Sequence, residues 1–129
     1  RAMKKVSRPT DYLFRFGGEE FDIVLPVTEL DGAEKYAQKL INEIRKIRIP
    51  AGSGGFIRIT ASIGGASFNV SYSAGGQIFN KDILKMYHSV QKQADYACYH
   101  AKSLGKDQFC GYRKGVDYEK IMEKYGMNH

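Results

Sequence analysis

Two short runs rich in aromatic and branched residues, Tyr12-Leu13-Phe14-Arg15-Phe16 and Phe21-Asp22-Ile23-Val24-Leu25, are separated by four residues, Gly17-Gly18-Glu19-Glu20. This segment constrains the fold more than any other, because β-prone runs so close together, joined by glycines, close into an antiparallel hairpin. Its tip is open to two readings. One is a solvated turn carrying incidental acids. In the other, glycines without a Cβ let phosphates or a ribose approach the backbone, while a glutamate offers hard oxygens to a divalent cation. Successive side chains on extended backbone point opposite ways, so Glu19 and Glu20 need not serve one ligand.

Pro26 closes the second strand, and a helix opens between Thr28 and Asp31. Its apolar positions Ala33, Ala37, Leu40, Ile41, Ile44 and Ile47 recur at helical spacing. Glu29, Asp31 and Glu34 near its start and Arg45, Lys46 and Arg48 near its end suit the helix dipole. Pro50 and the glycine-rich 51–55 stop it. Phe56 to Ile63 alternates, which predicts one half-buried strand with Ile57, Ile59, Ala61 and Ile63 on one face. Ser71 to Asn80 reads as a loop, and Lys81 to Ser103 as a long amphipathic helix with Gly105 as its stop. A short strand from Gln108 to Tyr112 and a charged helix from Tyr118 to Tyr125 complete an order β-β-α-β-α-β-α. That order predicts an α+β fold, a mainly antiparallel sheet covered by helices.

With 129 residues, 43% of them hydrophobic and 12% aromatic, the chain is expected to form one domain with a core, which excludes disordered and fibrous classes. No apolar run approaches the roughly 18 residues that span a bilayer, and no tripartite leader opens the chain. Cys98 and Cys110 are too few for a disulfide framework and lack zinc-site spacing, so a cytoplasmic location is expected. His88, His100 and His129 form no close cluster in sequence. The net charge of +6 favours polyanionic partners, although a solvated basic face accounts for it equally. A basic sheet stacking nucleic acid on tyrosines is set aside, because no RNA-binding signature is present.

Two further constellations carry chemistry. Lys102 and Lys106 stand four apart across Gly105 at the end of the long helix. They are either cations answering the helix dipole or a clamp on nucleotide phosphates. Arg8-Pro9-Thr10-Asp11 sets a cation and an anion three apart just before the hairpin, which by itself describes an ordinary turn with a weak surface pair.

Together these residues carry a resemblance. Gly17-Gly18-Glu19-Glu20-Phe21, between Phe14-Arg15-Phe16 and Asp22-Ile23-Val24-Leu25-Pro26, resembles the signature hairpin of the GGDEF family, the diguanylate cyclases, in its GGEEF form. Thr60-Ala61-Ser62-Ile63-Gly64 is similar to the family's strand ending in S-I-G. Residues 94–106, ADYACYHAKSLGK, resemble its A-D-x-A-L-Y-x-A-K-x-x-G-R/K helix end. Arg8 and Asp11 match its R-x-x-D motif, with five residues before the first glycine. The four motifs stand in the family's order from Arg8 to Tyr112, with 113–129 as a C-terminal helix or extension.

The resemblance implies a palm-like, ferredoxin-like core and a two-metal nucleotidyl transfer. Two GTP molecules condense to cyclic di-GMP across a homodimer, with Mg²⁺ or Mn²⁺ as cofactor. By matched position, Glu19 is a metal ligand and activates the 3′-hydroxyl, and Glu20 supports the metal site. Gly17 and Gly18 admit the nucleotide, and Lys102 and Lys106 bind phosphates. Arg8 and Asp11, with Lys39 as a further cation, form an inhibitory I-site for the product. The implied partners are GTP, cyclic di-GMP and an upstream sensor or receiver domain, with no nucleic acid polymer. The alternative is a non-catalytic GGDEF domain that binds cyclic di-GMP or GTP. In the family an opening strand and helix, with a metal-binding aspartate and the guanine-reading residues, precede R-x-x-D, whereas here Arg1 to Ser7 stand there. These 129 residues alone are therefore expected not to cyclise GTP, and an uncovered sheet edge is expected to favour dimerisation.

Overall fold

The computed structural model describes residues 2–9, 11–16, 20–26, 28–68 and 80–127. Two compact units divide the chain, Arg1–Ala61 and Ser62–His129.

The first unit opens with helix α1 (Ala2–Val6), which the sequence reading did not anticipate, and continues into strands β1 (Tyr12–Phe16) and β2 (Glu20–Val24). These pair antiparallel, with Tyr12 opposite Val24 and Phe16 opposite Glu20. The expected hairpin is present, but Glu20 belongs to the strand rather than to a four-residue tip. Helix α2 (Leu30–Arg45) buries Ala37, Leu40 and Ile41, while Asp31, Glu34, Lys35, Gln38, Lys39, Asn42 and Arg45 face solvent. Leu40 and Ile41 each contribute about 1.5–3 kcal/mol by burial. Lys5 on α1 reaches Glu43 on α2 at 3.1 Å, and Ser7 Oγ meets the Tyr36 hydroxyl, so α1 runs beside α2.

Strands β3 (Arg48–Pro50) and β4 (Phe56–Arg58) form a second antiparallel hairpin, with Pro50 opposite Phe56. Its turn uses Gly54 at φ +90° and Gly55 at φ +77°, values that side-chain-bearing residues rarely adopt. The glycines read as a helix stop therefore also build a hairpin.

In the second unit, β5 (Ile63–Gly65) pairs parallel with β6 (Phe109–Gly111), placing Gly64 opposite Cys110. Helix α3 (Asn80–Ser103) packs on this ladder and α4 (Tyr118–Met127) packs on α3. A Cβ on Gly64 would fall 2.1 Å from the Ala94 carbonyl oxygen and 2.2 Å from the Cys98 nitrogen, so only glycine lets α3 approach this strand so closely. Ala97 and Ala101 are fully buried. Tyr118 is 5% exposed. It stacks on Tyr112 at 5.0 Å and on Tyr96 at 5.9 Å, takes His100 edge-on at 5.9 Å, and its hydroxyl accepts the Arg113 N–H at 2.8 Å.

The α+β class stands, with one correction. Among the described residues the strands form three two-stranded ladders, two antiparallel and one parallel, so the pairing is mainly antiparallel as expected. The strand expected from Phe56 to Ile63 is two, β4 and β5, because its ends pair with different partners; Ile57 is 53% exposed. The expected loop at 71–80 lies outside the described residues up to Asn80, which starts α3.

Candidate functional site

Glu20 is exposed and opens β2 opposite Phe16, at the end of the ladder where the two strands are joined in sequence. Gly17, Gly18 and Glu19 lie outside the described residues. Alternation along β2 puts Glu20, Asp22 and Val24 on one face. The exposed Glu20 carboxylate is a hard-oxygen donor of the kind Mg²⁺ prefers. Among the described residues no three His, Cys, Asp or Glu side chains gather into a metal cluster.

Arg8 and Asp11 are brought together. The Asp11 side chain is 1% exposed and accepts the Arg8 backbone N–H at 2.8 Å and Arg8 Nη2 at 3.2 Å, while the Asp11 N–H donates to the Arg8 carbonyl at 3.0 Å. Nη2 also donates to the Pro26 carbonyl at 3.1 Å and to Thr28 Oγ1 at 2.8 Å, and Thr28 Oγ1 donates to Pro26 O at 3.0 Å. With two hydrogens serving three acceptors, Nη2 shares at least one of them. The R-x-x-D turn is thus tied to the segment between β2 and α2, and the Arg8 side chain remains 54% exposed. A Cβ at Gly32 would stand 2.8 Å from Thr28 Cγ2, so the glycine in the first turn of α2 makes room for the threonine that holds Arg8.

Lys39 is exposed on α2, where it lines an open surface groove with Asp31, Glu34, Lys35 and Gln38. At 1.5 Å per residue it lies about 14 Å along α2 from Leu30.

Lys102 is in the last turn of α3. Gly105 at φ +117° ends the helix, with its N–H donating to the Lys102 carbonyl at 3.3 Å and the Lys106 N–H to the Ala101 carbonyl at 3.0 Å. This pair of bonds is a Schellman motif. Lys106 and Asp107 follow at φ +65° and +53°, a left-handed stretch that costs non-glycine residues energy. The Gln108 side-chain amide donates to the Leu104 carbonyl at 3.2 Å and the Lys106 carbonyl at 3.1 Å, and so holds that stretch. Lys102 Nζ stands over the ring of Tyr99.

Sequence reasoning missed Thr28 and Gln108 as supports. Thr28 carried a signal as a hydroxyl residue just before a helix, whereas Gln108 carried none.

Among the described residues three titrations move. Glu43 is held low by its hydrogen bonds to Lys46 and then Lys5. Burial pushes the Tyr36 hydroxyl up, against its bond to Ser7, with Asp11 adding to the rise. Burial also raises the Cys110 thiol, which Arg113 opposes. Neither Cys98 nor Cys110 is in a disulfide, and the Cys98 thiol donates to the Ser62 carbonyl at 3.4 Å. No helix among the described residues is long and apolar enough to cross a membrane.

Over residues 1–108 the chain matches the family described as "Diguanylate cyclase, GGDEF domain". It is 33% identical over 108 residues to diguanylate cyclase DgcM of Escherichia coli (strain K12), covering 84% of this chain and 22% of DgcM. Its fold is similar to diguanylate cyclase SiaD from Pseudomonas aeruginosa, solved in complex with its activator SiaC. There the TM-score is 0.68 at 26% identity, covering 85% of this chain and 37% of SiaD. The GGDEF domain of DgcB from Caulobacter crescentus, solved in complex with c-di-GMP, shares the fold with a TM-score of 0.65 at 23% identity, covering 86% of this chain and 58% of that one. The chain spans about a fifth of the length of the curated relatives it matches.

Proposed function

This chain belongs to the GGDEF family of diguanylate cyclases, and from that premise we propose that it is the catalytic module of a cytoplasmic enzyme that condenses two GTP to cyclic di-GMP and two pyrophosphates. The observation that carries the reading is the intact GGEEF sequence between and into two registered strands, with Glu20 exposed at the start of β2 opposite Phe16. Each domain holds one GTP, and two domains form a homodimer in which each 3′-hydroxyl attacks the α-phosphorus of the other nucleotide. A 3′-O–P bond forms, the bond between the α-phosphorus and the bridging oxygen breaks, and pyrophosphate leaves. Positioning and charge neutralisation do most of the work in such transfers.

Glu19 takes the 3′-hydroxyl proton. Glu19 and Glu20 would hold Mg²⁺ or Mn²⁺, which would supply neutralisation of the charge growing on the phosphate oxygens. Gly17 and Gly18 let the nucleotide approach the backbone, and Lys102 and Lys106 bind phosphates. Arg8 and Asp11, with Lys39 as a further cation, bind cyclic di-GMP as a feedback inhibitor. Arginine suits the task, since its planar fork meets a guanine edge or a phosphate with two donors. Regulation through an upstream sensor or receiver domain completes the proposal.

A second reading is a GGDEF domain that binds cyclic di-GMP without making it. It draws on the same ordered Arg8–Asp11 turn. Glu19→Ala and Glu20→Ala in the full-length protein separate the two. Each is expected to reduce synthesis by about a hundredfold or more while cyclic di-GMP still binds. Undiminished synthesis in both variants contradicts the catalytic assignment.

A further inference from the structure

Lys102 has surroundings that the family match does not include. Its Nζ lies 5.3 Å from the ring centroid of Tyr99, three residues earlier on α3, and 6.0 Å from that of Tyr125 on α4. The two rings meet edge to face at 5.6 Å and 68°. The match ends at residue 108, before α4 begins at Tyr118. One wall of the ammonium's enclosure therefore comes from beyond the segment shared with the family. Nor is that wall loose, because Tyr118 anchors the start of α4 among Tyr96, His100 and Tyr112.

A lysine ammonium rides on a flexible four-carbon stem, and fixing it before a ligand arrives removes an ordering cost that binding would otherwise meet. Ring faces attract the cation through their quadrupole and leave N–H donors available for phosphate oxygens. Lys102 is only half-buried, so its ammonium is not sealed off. We propose that Tyr125, with Tyr99, is a positioning residue that presents Lys102 to the phosphates of GTP and makes α4 part of the substrate site. The inference rests on the reading of Lys102 as a phosphate ligand given above.

Steady-state kinetics of the full-length protein with GTP and Mg²⁺ test it. Tyr125→Leu is expected to raise KM about threefold to tenfold with kcat within about twofold, and Tyr125→Phe, which keeps the ring, to restore KM. Lys102→Ala is expected to raise KM by about tenfold or more, and adding Tyr125→Leu to raise it no further. A lower KM in Tyr125→Leu means that the rings occlude the ammonium, and it overturns the proposal. An unchanged KM in Tyr125→Leu does the same when Lys102→Ala raises it. An unchanged KM in Lys102→Ala removes the phosphate reading and the positioning role with it. Independently of turnover, the Lys102 ε-methylene protons of the native protein are expected to resonate upfield through ring currents. Unshifted resonances overturn the enclosure whatever the variants do.

Discussion

Arg8 and Asp11 divide their work unevenly. The Asp11 carboxylate is enclosed and occupied by Arg8, whereas most of the Arg8 side chain faces water. Asp11→Ala leaves the Arg8 N–H without its acceptor and is expected to cost about 1–3 kcal/mol in a denaturant melt, more than Arg8→Ala. In calorimetric titration Arg8→Ala is expected to weaken cyclic di-GMP binding about tenfold or more, and unchanged affinity removes the I-site assignment. The pH dependence of stability also belongs to single groups. Glu43 is depressed in the folded state, so its contribution is present above the ordinary carboxylate range and is lost as pH falls through it. Cys110 and Tyr36 are raised, so stability is intact below their ordinary values of 9.0 and 10.0 and declines as pH climbs past them. Melting temperature against pH is expected to fall at both ends, with Glu43→Gln flattening the acid limb. The acids, cations and glycines of these sites were legible as residue types. Their supports were not, because a bond such as Arg8 to Thr28 joins residues twenty apart in the chain.

At the level of elements, β5 and α3 meet where no side chain intervenes. Gly64→Ala sets a methyl against helix backbone that cannot move aside without shifting α3, and it is expected to cost about 3 kcal/mol or more. Gly52→Ala, with no heavy atom near its new methyl, is expected to stay within about 0.5 kcal/mol of the native protein in the same melt. Tyr118→Ala removes a buried ring with three aromatic neighbours, and is expected to cost about 3–5 kcal/mol and to release α4. Helices α2, α3 and α4 were readable from recurring apolar residues, which in α2 run over four turns, whereas the five residues of α1 are too few to show the repeat. Of the three-residue strands, β6 lies inside the strand expected from Gln108 to Tyr112, whereas β3 and the break between β4 and β5 were not readable. Three residues such as Arg48–Pro50 are too few to show a period, and the alternation of 56–63 continues across a change of partner.

Over the whole molecule, the proposed function gives the +6 charge a narrower reading than polyanions in general, namely the phosphates of GTP and of a cyclic dinucleotide. The parallel pairing of β5 and β6 was not visible in local pattern, because it joins segments more than forty residues apart. The hairpin, the helix end and the R-x-x-D turn were visible, since each is a local arrangement with its residues close in sequence. Glu19 and Glu20 of the GGEEF motif are proposed to make this chain a nucleotide-condensing module. Incubating the full-length protein with GTP and Mg²⁺ and separating the nucleotides by chromatography tests this assignment most directly. Cyclic di-GMP and pyrophosphate are expected in a ratio of one to two, with synthesis lost in Glu19→Ala. GTP left intact by the native protein, or cyclic di-GMP made undiminished by Glu19→Ala, contradicts the assignment.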